Sequence, residues 1–106
     1  MSKTFLAVLK FNQVIATVME YAFYNPNTFI IMTADHETGD LRPDSSGELK
    51  YNSENHSGAN VPVFAYGHGA ERFNEKTIIN VQIPKTIAHF WGVEDFGDPK
   101  LAGALK

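Results

Sequence analysis

Asp35 and His36 stand side by side, and a second imidazole, His56, follows further along the chain. A carboxylate oxygen and two imidazole nitrogens are donors that zinc accepts in a tetrahedral set. Asp35, His36 and His56 are therefore the three candidate metal ligands. A catalytic zinc commonly keeps three protein ligands and one open position. The count fills one such site or partly fills two. By spacing alone His36 reads equally well as a loop histidine bonded to a neighbour, and His56 as a surface histidine. The two meet only if the chain between them folds back. Glu37 reads as a solvated loop carboxylate, with support of a ligand or action as a base as the alternatives. His68, between Gly67 and Gly69, reads as an exposed turn residue, and His89 as a packing residue beside a helix stripe.

Other chemistries are poorly represented. No serine lies in a Gly-x-Ser-x-Gly elbow. Gly67-His68-Gly69-Ala70 is glycine-rich but lacks the Gly-Lys-Ser/Thr of a phosphate loop. Arg42 and Arg72 are the only arginines, and neither adjoins the Asp-His pair.

The elements that must position these residues read as follows. Thr4 to about Tyr24 has a helical pattern, with Val8, Phe11, Val14, Ile15, Val18 and Ala22 on one face and Lys10, Gln13, Thr17 and Glu20 on the other. Ser2 or Thr4 is placed to cap it, and Asn25-Pro26-Asn27 ends it. Thr28-Phe29-Ile30-Ile31-Met32 is apolar without alternation. Such a run reads as a strand buried on both faces, as in a parallel sheet. Asp35 and His36 then stand beyond its carboxyl end, where ligands sit in open α/β sheets. Residues 40–57 read as an irregular exposed loop, with a hairpin as one form of it and Glu48 to Asn52 as a weak edge strand. Val61 to Tyr66 reads as a second strand. Val81 to Trp91 reads as a second helix with Ile83, Ile87, Phe90 and Trp91 as its apolar stripe and Asn80 as its cap. The tail from Glu94 is polar, with a possible turn of helix at its end. The expected class is α/β, with a mainly parallel sheet and flanking helices.

The chain has 106 residues, enough for one domain. Its formal net charge is −3 and its cationic residues are scattered, which argues against a nucleic-acid partner. It has no cysteine, so disulfide and thiolate chemistry are excluded. No apolar run approaches the roughly 18 residues of a membrane span, and no signal peptide is visible. The compartment is left open.

The ordered motifs resemble one family. Thr33-Ala34-Asp35-His36-Glu37-Thr38-Gly39 is similar to the metal-site signature of alkaline phosphatases. Asn55-His56-Ser57-Gly58, followed by Val61 to Gly67, is similar to that family's later His-Thr-Gly segment and the strand after it. Gly69 to Phe73 and Asn80 to Trp91 continue the resemblance in order. It implies an alkaline-phosphatase-like fold and hydrolysis of phosphate monoesters through a phosphoserine, with two zinc ions and one magnesium ion. It implies that Asp35 and His36 hold the zinc that activates the serine, and that His56 holds the other zinc. Three residues depart from the pattern: Asp40 stands where many members have a glycine, Ser57 replaces threonine, and His68 stands where proline is common. The nucleophilic serine, the magnesium ligands, the phosphate-binding arginine and two further zinc ligands have no counterpart here. The resemblance thus implies that residues 1–106 are a single C-terminal segment, carrying partial zinc sites and inactive alone, with a homodimer as a possible assembly. The alternative is a non-catalytic metal-binding or self-associating module derived from the same fold. Phosphodiesterases, sulfatases and phosphoglycerate mutases also place an Asp-His pair after a buried strand, but Glu37-Thr38-Gly39 favours the alkaline phosphatases.

Overall fold

The computed structural model describes residues 3–74 and 76–106. Helix α1, Lys3–Tyr24, is followed by strands β1 (Ile30–Thr33), β2 (Glu37–Thr38), β3 (Leu41–Pro43), β4 (Leu49–Tyr51), β5 (His56–Ser57) and β6 (Val63–Tyr66). A 3-10 turn at Ala70–Phe73 and helix α2, Gln82–Phe90, complete the order. The strands form three two-stranded sheets, β1 with β6, β2 with β5 and β3 with β4. The β2–β5 and β3–β4 pairs are antiparallel.

The expected mainly parallel sheet is not present among the described residues, and the α/β class built on it is corrected to two helices with short strand pairs. The physical reason is connectivity. The polar stretch after β1 folds back on itself, so β2–β5 and β3–β4 pair antiparallel within it, and no sheet among the described residues grows beyond two strands. Nor is the first strand buried on both faces: Ile30, Ile31 and Met32 are half-buried and Thr33 is exposed. Within the region 40–57 the hairpin form of the expected loop is the one present: Leu41 lies opposite Tyr51 and Pro43 opposite Leu49, and the expected weak strand at Glu48 to Asn52 is β4.

The chain forms two compact units. One comprises Met1–Ile31 with Ala65–Lys106, and the other Met32–Phe64. In the first, α1 is packed only toward its C-terminal end. Ile15 and Met19 are half-buried and Ala22 is buried, one turn apart on one line. Val8, Phe11, Val14 and Val18, expected on the buried face, are exposed. Thr4 lies inside α1 rather than capping it, and Ser2 lies outside the described residues. As the sequence suggests, Asn25 ends the helix: its amide N–H donates to the Ala22 carbonyl and its Nδ2 to Tyr21 O at 2.8 Å.

Phe29 anchors this unit. Its ring stacks on Phe73 at 5.8 Å and meets Phe90 edge-on at 5.2 Å. Gly69, at φ 89°, allows the 3-10 turn to approach α2: a Cβ there would lie 2.7 Å from the Phe90 ring. Helix α2 buries Lys85 and Thr86, while Trp91 of the expected stripe is 82% exposed. The tail covers that polar face. Thr86 Oγ1 donates to Gln82 O at 2.6 Å and accepts the Leu105 N–H at 2.8 Å. Lys85 Nζ donates to the carbonyls of Asp98 and Leu101. The tail has no terminal helical turn. No side-chain cap bonds at the start of α2, where Asn80 was expected to serve and Val81 holds the cap position.

In the second unit the hairpin closes around Asp44. Its N–H donates to Glu48 O at 2.9 Å, and its Oδ1 accepts from the Ser46 amide and hydroxyl. Lys50 Nζ lies 2.6 Å from Asp44 Oδ2. That ammonium, with the Ser46 donors, holds the Asp44 carboxyl down at about 2.

Candidate metal-ligand site

The chain between the two candidate histidines does fold back. β2 and β5 pair with Glu37 opposite Ser57 and Thr38 opposite His56. His36 immediately precedes β2 and His56 opens β5, so this pairing sets the rings side by side. Their centroids are 4.6 Å apart and the planes are tilted by 33°.

Glu37 fastens the pairing. Its Oε1 accepts the Asp40 N–H at 2.7 Å, and its Oε2 accepts the Ser57 hydroxyl. Both oxygens are therefore engaged by the fold, and Glu37 is not the solvated loop carboxylate the sequence suggests. Asp40 follows at φ 48°, a left-handed conformation that aspartate tolerates better than most residues. Gly39 before it is buried, also left-handed, and faces the Tyr51 ring, which a Cβ would meet at 2.6 Å. Where this loop bends, the backbone selects a small or a tolerant residue.

His36 is oriented by its own neighbours. Nδ1 lies 3.1 Å from the Glu37 carbonyl oxygen and 3.1 Å from Thr38 Oγ1. A carbonyl only accepts, so in the tautomer that bonds it Nδ1 carries the proton and Nε2 keeps its lone pair. Metal-bound histidines are commonly fixed in this way. Nε2 lies 3.4 Å from Asp35 Oδ2. That is long for a hydrogen bond. It matches the separation of two donors on one tetrahedral zinc, roughly 3.3–3.4 Å for bonds of about 2.0–2.1 Å. Asp35 Oδ1 accepts the His36 N–H at 3.0 Å, which holds the carboxylate on this side. The Asp35 side chain is 87% exposed.

Asp35 and His36 thus fit two corners of a zinc site. His56 is brought beside them but does not complete the set: among the described residues no three His, Asp or Glu side chains are grouped so as to hold a metal ion. Comparisons with protein families, with characterised proteins and with solved structures found no match.

The remaining histidines lie in the other unit. His68 is exposed in the turn between Gly67 and Gly69. His89 Nδ1 lies 2.7 Å from Glu94 Oε1. Two positioning residues escape sequence reasoning here. Thr38 is a second partner of His36, and Ser57 is the donor that ties β5 to Glu37. Their adjacency to the histidines was the only available signal, because the cross-strand register is a property of the folded chain.

Proposed function

We propose that this chain is a metal-ligand-bearing segment of an enzyme resembling the alkaline phosphatases, which hydrolyse phosphate monoesters. The observation that carries the reading is the pairing of Asp35 Oδ2 with a pre-oriented His36 Nε2 at zinc-donor spacing, with His56 alongside. In this reading Asp35 and His36 hold one zinc and His56 contributes to a second. Bound zinc supplies Lewis-acid activation of oxygen nucleophiles and stabilises the leaving oxygen. The chain's own residues orient the donors: Glu37 and Ser57 fix the β2–β5 register, and the Glu37 carbonyl with Thr38 fixes the His36 tautomer. The nucleophile and the magnesium ligands belong to other parts of such an enzyme, so the isolated chain is inactive. An assay of the 106 residues with an aryl phosphate, zinc and magnesium is expected to give no turnover above solvent. Metal-dependent turnover that His36→Ala abolishes would overturn that expectation.

A second reading, a self-associating module without catalysis, is favoured by one observation. The N-terminal part of α1 exposes Phe5, Leu6, Val8, Leu9 and Phe11. Tight zinc binding by the isolated chain would favour this module, and weak binding favours the segment.

A further inference from the structure

In the first unit Arg72 lies in the wall of a cavity of about 660 Å³. Phe29, Ile31, Ile87, Phe90 and Trp91 supply its apolar surface. The guanidinium carbon sits 4.8 Å from the centre of the Phe90 ring. Arg72 Nη1 is buried and has no hydrogen-bond partner among the described residues. Nor does an anionic side chain pair with this guanidinium among them. We propose that the cavity binds a small organic carboxylate with an apolar, ring-sized body.

Holding a guanidinium nitrogen out of water without an acceptor is unfavourable, and stacking on a ring compensates only part of the loss. Its planar fork matches a carboxylate in a two-bond arrangement. Arg72 is the one permanent cation among the lining residues, beside the polar Asn27, His68 and His89, and it suits a single carboxylate. The aromatic and aliphatic walls require an apolar body behind the carboxylate, and the volume is ordinary for a small-molecule pocket.

Trp91 is the only tryptophan, so its fluorescence reports on the cavity. The full chain is titrated in EDTA, which keeps zinc out and makes the result independent of the metal reading. The probes are 3-phenylpropionate, 3-phenylpropanamide and inorganic phosphate, followed by Trp91 emission and by calorimetry. The acid is expected to bind saturably, the neutral amide at least tenfold more weakly, and phosphate not to displace the acid. Arg72→Gln is expected to weaken the acid at least tenfold while leaving the amide unchanged. Equal binding of acid and amide, no saturable response, or an unaltered affinity in Arg72→Gln would overturn the proposal. Displacement of the acid by phosphate would overturn it in favour of a simple anion site. The acid-against-amide comparison uses the unaltered protein and decides the matter even if the variant does not fold.

Discussion

Ser57 shows how a single hydroxyl positions the candidate site. It donates to Glu37 Oε2 and accepts the Ala59 N–H at 3.2 Å, so it fastens β5 on both sides. The change from threonine to serine, set against the resembled family, keeps this bond because only the hydroxyl is needed. Ser57→Ala is expected to lower stability by about 1 kcal/mol, the usual scale of one lost hydrogen bond to a charged acceptor partly open to water. Ser57→Thr is expected to restore it. Denaturant melts measure the stability, and the nuclear Overhauser contact between the His36 and His56 rings shows whether the pairing persists. The candidate ligands themselves were legible as residue types, since Asp35 and His36 are adjacent and follow an apolar run. Their donor spacing was not, because it depends on the bond between His36 and the Glu37 carbonyl.

Among the elements, the β3–β4 hairpin carries a pH signature. Asp44 is held at about 2 in the folded chain, chiefly by Lys50, against an unfolded carboxylate near 3.9. A depressed folded value means that its contribution is full above about pH 4 and is lost as the pH falls through about 2. The hairpin is therefore expected to be unchanged from neutral pH to about 4 and to loosen below that. Carboxyl-carbon shifts of Asp44 check the midpoint, and Lys50→Met is expected to raise it toward the ordinary value. A midpoint near 4 in the unaltered chain would contradict the pairing. The helices were legible in outline because their apolar residues recur at helical spacing and Asn25-Pro26 stops the first. The parallel sheet was inferred from one apolar run. That inference fails because strand direction depends on connection, and the polar stretch between Asp40 and His56 folds back on itself. The buried face of α2 was missed because Lys85 and Thr86 are polar. They are satisfied by Gln82 O and by backbone groups of the tail.

Over the whole molecule, the balance of surface and core is unusual. Only Ala22, Phe73 and Leu105 are buried apolar residues among those described. A helix with apolar residues over most of its circumference normally lies within a protein, yet Phe11, Val14 and Phe23 of α1 are exposed. Surface of this kind draws association. Sedimentation velocity at tens of micromolar is expected to show species larger than the monomer, shifted back toward it by Phe11→Glu with Val14→Glu. A single monomeric boundary in the unaltered chain would contradict this. Among the described residues no helix is long and apolar enough to cross a membrane.

The most direct test of the account is calorimetric titration of the chain with zinc, comparing the unaltered protein with His36→Ala. The proposed metal site requires zinc binding that weakens at least tenfold when the imidazole is removed, because in that proposal His36 Nε2 and Asp35 Oδ2 share one ion. Zinc binding of equal affinity in both proteins would contradict it and remove the metal site from this pair.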